Sequence, residues 1–90
     1  MESEPIVDEG NGSYVFSAKV SFDDLRERLD HEIEPEGFET VGGYILTRLG
    51  RVPAVGETFE LDGLFVEVLE AERRRIHKVR VRKPAAARIT

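Results

Sequence analysis

Apolar residues recur with helical spacing in two segments of the chain. The apolar positions are Phe22, Leu25 and Leu29 in the first segment and Val41, Tyr44, Ile45 and Leu49 in the second. In each case they fall on one face at 3.6 residues per turn, which predicts two amphipathic helices. Ser21 and Thr40 are suited to cap their first turns, and Gly50 is suited to end the second helix. Both helices are therefore expected to press an apolar face onto a sheet.

From residue 58 onward the apolar spacing changes to two, which is typical of strands. The predicted strands are residues 13–16, 58–61, 64–71 and 76–82. Asp62 and Gly63 form the dipeptide that a two-residue type I′ hairpin prefers. The sequence therefore predicts an α+β fold in the order β-α-α-β-β-β, with a C-terminal antiparallel meander and two helices packed on the sheet.

The flanks of this region differ from it in composition. Residues 1–11 are acidic and contain Pro5 and Gly10, which predicts a linker or tail. The domain itself is expected over residues 12–83, and residues 84–90 are predicted to be a C-terminal tail.

The charge of the chain is unevenly distributed. The 90 residues have a net charge of −5 and include no cysteine, which excludes disulfides and cysteine-based metal centres. Residues 1–40 hold twelve acidic and three basic residues, whereas residues 41–90 hold six and ten. Such a split predicts a dipolar surface that orients the domain against a partner. No segment has the length and hydropathy of a membrane span or a signal peptide, so the piece itself is expected in the cytosol.

Two adjacent glycines, Gly42 and Gly43, lie at the start of the second helix and cost roughly 1 kcal/mol each relative to alanine. One explanation is close packing, in which the missing side chains let another backbone or ring approach. The other is that exposed amides at the positive end of the helix bind a phosphate. The sequence has neither a GxGxxG nor a GxxxxGK[ST] pattern, which favours close packing.

One basic concentration lies near the C-terminus and consists of Arg73, Arg74, Arg75, Lys78, Arg80, Arg82 and Lys83. A solvated sheet face explains it most simply, and contact with a protein or a membrane surface is the functional alternative. Nucleic acid is not expected as a partner, because the chain is acidic and no aromatic residue interleaves with the cluster.

Other candidate sites have simpler interpretations. The acidic loop contains Asp30, Glu32, Glu34, Glu36 and Glu39, whose spacing does not match an EF-hand, so solvated acids are expected rather than a metal site. His31 and His77 lack a zinc-binding context, and His77 is expected to share the buried side of its strand with Val79 and Val81. No arrangement of nucleophile, base and acid predicts an enzyme.

Four stretches together resemble a known family. They read FDDLRERL, TVGGYILTRLGRVPAVGE, FELDGLFVEVLE and RRIHKVRV. Over residues 12–83 the chain resembles the CorC/HlyC transporter-associated domain. Ala18 departs from the pattern, since a glycine often follows the first strand there, and Glu72-Arg73 replaces an Asp-Gly turn. The second hairpin is therefore expected to use another turn type or a longer loop.

The resemblance implies a non-catalytic accessory domain of a magnesium and cobalt efflux or hemolysin-like protein. Its implied partners are a pair of CBS domains and a transmembrane domain of the parent protein, on the cytoplasmic side of the membrane, with a homodimer as a further partner to test. The family's fold is similar to a flavin-binding domain. The alternative function is therefore binding of FAD or a nucleotide at Gly42 and Gly43, although no cofactor is the primary expectation.

Overall fold

The computed structural model describes residues 5–34 and 37–83. Its elements in chain order are β1 (Ile6–Asp8), β2 (Ser13–Ser17), α1 (Phe22–Leu29), α2 (Val41–Leu49), β3 (Thr58–Leu61), β4 (Leu64–Glu72) and β5 (Arg75–Arg82). The five strands form one antiparallel sheet in the order β1-β2-β5-β4-β3. The α+β class and the β-α-α-β-β-β layout are confirmed, with one additional strand at the N-terminal edge of the sheet.

This additional strand, β1, lies in the stretch predicted to be a linker. Ile6 pairs with Phe16 across the β1–β2 hairpin, and Gly10, Asn11 and Gly12 turn the chain with positive φ angles. The linker prediction for residues 1–11 is therefore wrong over Ile6–Asp8. Three residues are too few to show an apolar period, so only the pairing with β2 reveals them. Residues 1–4, the predicted tail over residues 84–90, and Glu36 lie outside the described residues.

Both helices begin after the predicted cap residues, and α2 ends at the predicted glycine. The Ser21 hydroxyl accepts a hydrogen bond from the Asp23 amide, and the Thr40 hydroxyl accepts one from the Gly43 amide. Both satisfy first-turn donors that have no partner inside the helix. Gly50 ends α2 in the left-handed conformation, with φ of +80°.

The hydrophobic core lies between the two helices and one face of the sheet. The buried residues are Phe16, Val20, Phe22, Leu25, Leu29, Ile33, Phe38, Val41, Tyr44, Ile45, Leu64, Val66, Val68, Ile76, Val79 and Val81. Side chains that alternate with them on β2, β4 and β5 point to the opposite face, which we call the outer sheet face. Val15, Phe65, Glu67, Arg80 and Arg82 lie on that face.

The two hairpins of the meander turn differently. Asp62 and Gly63 have φ of +50° and +82°, which confirms the predicted type I′ geometry. In the second hairpin Glu72 pairs with Arg75, so Arg73 and Arg74 form a two-residue loop. Among the described residues, only Asn11, Asp30 and Asp62 combine a side chain with positive φ, so this loop uses another turn type, as expected.

The pairing of β4 with β5 is irregular near this loop, with register shifts on either side of Glu70. Ile76 is consequently buried on the helix side, and His77 is half exposed, with its Nε2 3.4 Å from Glu72 Oε2. The expectation that His77 shares the buried side with Val79 and Val81 is therefore wrong. A bulge changes the side of the sheet to which the following side chains point, so strict alternation does not predict the side of His77.

Candidate binding groove and interaction surface

Gly42 lies against the backbone that follows β2. Its amide donates to the Ala18 carbonyl oxygen at 3.0 Å. A Cβ atom at this position would lie 3.0 Å from Ala18 Cβ and 3.2 Å from Ala18 O. The geometry supports close packing as the reason for Gly42, since the two chain segments meet where a side chain would be.

The other amides of the first turn of α2 also have partners. Val41 donates to the Val20 carbonyl at 2.9 Å, Gly43 donates to Thr40 Oγ1 at 3.1 Å, and Tyr44 donates to the Thr40 carbonyl at 2.9 Å. A phosphate at this helix start would have to replace one of these bonds. The role of Gly42 and Gly43 in cofactor binding therefore stays a prediction, without a free amide to support it.

A groove of about 770 Å³ opens beside the two glycines. It is bounded by the start of α2, the chain that follows β2, and the facing ends of β4 and β5. Its lining residues are Pro5, Ser17, Ala18, Lys19, Thr40, Gly42, Gly43, Leu46, Glu70, Arg75, Ile76, His77 and Lys78. Three of these side chains are cationic and only Glu70 is a carboxylate, so the groove is positively charged in a chain whose net charge is −5.

The predicted basic cluster is divided by the structure into two parts. The part on the outer sheet face has partners: Arg80 Nε lies 2.8 Å from Glu9 Oε1 and Arg80 Nη1 lies 2.8 Å from Glu67 Oε1. The hydrogen bond from Arg80 is the main reason that the pKa of Glu9 lies below its ordinary value. Arg82 also lies on this face, with its guanidinium 5.0 Å from the Phe65 ring centroid. On this face, therefore, Arg80 is paired with two carboxylates and Arg82 lies over an aromatic ring.

The other part is at the tip of the β4–β5 hairpin. Arg73, Arg74 and Arg75 are exposed there, and no carboxylate of the described residues pairs with them. Lys78 lies between the two parts, 3.3 Å from Glu70 Oε2. Lys83 donates to the Asp30 carbonyl at 2.9 Å, at the opposite end of β5.

Lys19 was missed by the sequence reasoning and belongs with the hairpin tip. The Ala18 amide donates to the His77 carbonyl at 3.0 Å, which places Lys19 beside the first residues of β5. Lys19 is exposed and lines the same groove as Arg75. The antiparallel register of β2 against β5 is the signal that brings these two cations together, and it is visible only in the folded structure.

Asp62 is a second feature that sequence reasoning did not fully anticipate. The sequence predicts only a turn at this residue. In the structure its Oδ2 accepts a hydrogen bond from the Tyr44 hydroxyl at 2.7 Å and lies 3.1 Å from Arg48 Nε. Its carbonyl oxygen is 2.7 Å from His31 Nε2. Burial, followed by the bond to Asp62, raises the pKa of Tyr44 above its ordinary value. This network joins the hairpin to both helical segments and is structural, because the side chains satisfy one another.

The acidic loop shows no metal-binding arrangement in the part that is described. Across residues 5–34 and 37–83, no group of three or more His, Asp or Glu side chains is arranged to hold an ion. Within the same ranges, neither helix has the length and apolar character needed to cross a bilayer.

Residues 7–85 match the family described as the transporter associated domain. This chain belongs to the CorC/HlyC transporter-associated domain family. A solved structure of such a domain from Nitrosomonas europaea is similar to it, with a TM-score of 0.80, 30% identity, and coverage of 91% of this chain and 99% of the other.

Two curated relatives are similar to the domain in sequence. The magnesium and cobalt efflux protein CorC of Salmonella typhimurium is 33% identical over 72 residues, which are 80% of this chain and 25% of that protein. A UPF0053 protein of Synechocystis is 34% identical over 85 residues, which are 90% of this chain and 19% of that protein. The matched residues thus span 19% to 25% of the length of these relatives.

Proposed function

We propose that this chain is a non-catalytic regulatory module of a magnesium and cobalt efflux or hemolysin-like membrane protein. The observation that carries the proposal is the match of nearly the whole chain to a transporter-associated domain that forms only a quarter of Salmonella CorC. A module of this kind acts by contact with the rest of its parent protein. It biases the conformational equilibrium of its neighbours because it binds one of their states better than the other.

The partners in this proposal are a pair of CBS domains and the transmembrane domain of the parent protein, with the module on the cytoplasmic side of the membrane. The exposed cations at the hairpin tip provide a surface for such a contact, whereas the outer sheet face is largely neutralised by its own ion pairs. A contact that uses exposed charges is expected to be reversible and sensitive to salt, which suits regulation.

A domain exchange tests this function. The segment of Salmonella CorC that matches this chain is deleted, or is replaced by residues 5–83, in a strain that lacks its own CorC. We expect the deletion to lower cobalt tolerance and the replacement to restore at least part of it, with membrane levels of each protein checked by immunoblot. A deletion that leaves cobalt tolerance unchanged at equal protein levels would contradict a regulatory role for the segment.

A second candidate function is the binding of a flavin or nucleotide in the groove. The observation in its favour is that Gly42, Gly43 and three cationic side chains line one concave volume, which is within the size range of small-molecule sites, roughly 300–1,000 Å³. FAD, FMN and ATP are tested separately by thermal shift. A ligand at 100 times its dissociation constant stabilises a protein by about 2.7 kcal/mol. No shift in the unfolding temperature with any of the three at millimolar concentration would remove this candidate.

A further inference from the structure

The groove combines positive charge with an apolar base. Lys19 and Arg75 are exposed cations in its lining, and no ion pair joins either of them to a carboxylate of the described residues. Among the described lining residues Glu70 is the one carboxylate, and its Oε2 lies 3.3 Å from Lys78 Nζ. Lys19 and Arg75 are therefore available to pair with an anion from outside the domain.

The apolar base comes from three elements that meet at the groove. Ile76 is buried at the start of β5, whereas Leu46 of α2 and Ala18, the residue that Gly42 contacts, are half buried. Gly42 and Gly43 line the groove with backbone atoms alone, because they have no side chains. A ligand that fits this chemistry has an apolar part as well as negative charge.

We propose that the groove binds an acidic segment of a partner protein, in which carboxylate side chains flank an apolar one. The carboxylates pair with Lys19 and Arg75, and the apolar side chain packs against Leu46 and Ile76. This proposal rests on the proposed function, since it gives the chemistry of the partner that the module contacts.

Two observations favour such a segment over other anions. The amides at the start of α2 already have partners, so the backbone donors that usually hold a phosphate are not free. Arg73 and Arg74 form the exposed hairpin loop, which is the cationic surface suited to a flat anionic membrane, and neither residue lines the groove. The cations that do line it are inside a concave surface, where a chain segment can reach them.

Fluorescence anisotropy with a labelled peptide tests the proposal. The probe is fluorescein-Glu-Glu-Leu-Glu-Glu-Leu, and the comparison peptides replace Leu with Gly or Glu with Lys. We expect the probe to bind at 50 mM salt, more weakly at 150 mM, and more tightly than either comparison peptide. Exposed ion pairs contribute modestly, so removing both cations by Lys19→Gln with Arg75→Gln should weaken binding about two- to thirty-fold.

A matched variant controls for loss of charge. Arg28→Gln with Arg82→Gln also removes two exposed positive charges, but neither residue lines the groove. This variant should retain the affinity of the unaltered chain and should weaken binding clearly less than Lys19→Gln with Arg75→Gln does. If both double variants lose affinity equally, the interaction is diffuse electrostatics and the proposal fails. Circular dichroism verifies that each variant is folded, and Lys19→Gln alone repeats the comparison if the double variant is not.

Other occupants give distinct results that would overturn the proposal. Displacement of the probe by inorganic pyrophosphate at a lower concentration than by unlabelled peptide would identify a phosphate site. Sedimentation with vesicles of phosphatidylserine and phosphatidylcholine, lost on Lys19→Gln with Arg75→Gln and found without probe binding, would identify a membrane as the occupant of the groove. Concentration-dependent self-association that the groove variant abolishes would identify a second copy of the chain.

The domain exchange and the peptide-binding assay can refute the proposed function and this inference independently of each other. Restored cobalt tolerance in the domain exchange without probe binding would remove the acidic segment and keep the regulatory module. Specific probe binding without any effect of the deletion would keep the groove and remove the regulatory role.

Discussion

Replacing Gly42 with alanine tests whether close packing explains this residue. The new Cβ atom would lie 3.0 Å from Ala18 Cβ and 3.2 Å from Ala18 O. Ala18 is held on both sides, because its carbonyl accepts from Gly42 and its amide donates to His77. Its backbone therefore has little freedom to move away.

The expected cost follows from two opposing effects. Alanine improves helix propensity by about 1 kcal/mol, whereas overpacking a closely packed site costs typically 1–3 kcal/mol. We expect Gly42→Ala to lower the free energy of unfolding by about 1 kcal/mol, which corresponds to a decrease of about 4–8 °C in the unfolding temperature for a domain of this size. Urea denaturation followed by circular dichroism provides the free energies.

A double-mutant cycle with Ala18→Gly assigns the cost to one contact. Without the Ala18 methyl group, Gly42→Ala should be nearly neutral, and the coupling between the two changes should be about 1 kcal/mol. Gly43→Ala provides the control, since it gains the same propensity but its Cβ would lie 3.3 Å from Thr40 Oγ1 and 3.6 Å from Phe38 Cβ. A stabilised single variant would refute close packing, whereas an equal loss in both backgrounds would assign the cost to the Ala18 carbonyl oxygen, 3.2 Å from the new Cβ, and not to the methyl group.

Three further changes probe the core, the Asp62 network and the surface charges. Leu25→Ala should lower the free energy of unfolding by about 2–5 kcal/mol in urea denaturation, because Leu25 is only 1% exposed. Tyr44→Phe removes a hydrogen bond to the Asp62 carboxylate and should cost about 1–2 kcal/mol by the same measurement, whereas no loss would indicate that the network does not stabilise the fold. Glu57 accepts hydrogen bonds from Arg51 and the Ala54 amide, which lower its pKa from 4.5 to about 2. The stability that it contributes is complete above pH 4.5 and is lost as the pH falls toward 2, so Glu57→Gln should flatten the unfolding temperature against pH in that range.

Local signals predicted most of the fold. The caps at Ser21 and Thr40 and the turn at Asp62 and Gly63 depend on residues that are neighbours in sequence, and all of them have the expected geometry. The strand at Ile6–Asp8 depends instead on pairing with a partner strand, and its acidic surroundings concealed it. Elements that are stabilised mainly by residues far away in the chain are the ones that a single sequence does not predict.

The charged surface was predictable in composition but not in arrangement. Arg80 and Arg75 look equivalent in the sequence, since both belong to one basic run. The sheet places Arg80 between Glu9 and Glu67, which are distant in the chain, and it places Arg75 in the groove near Lys19. Strand register thus decides which cations pair with carboxylates of the domain and which do not.

The residues that stabilise the start of α2 differ from those that give the groove its charge, so the two properties can be tested independently. Gly42 is constrained by its contact with Ala18, and substitution there changes the free energy of unfolding as well as the shape of the groove. Lys19 and Arg75 are exposed, so their substitution by glutamine should leave the unfolding temperature nearly unchanged. If Lys19→Gln with Arg75→Gln abolishes peptide binding at an unchanged unfolding temperature, the loss is attributable to recognition. A loss of binding on Gly42→Ala is not, because that change also affects folding.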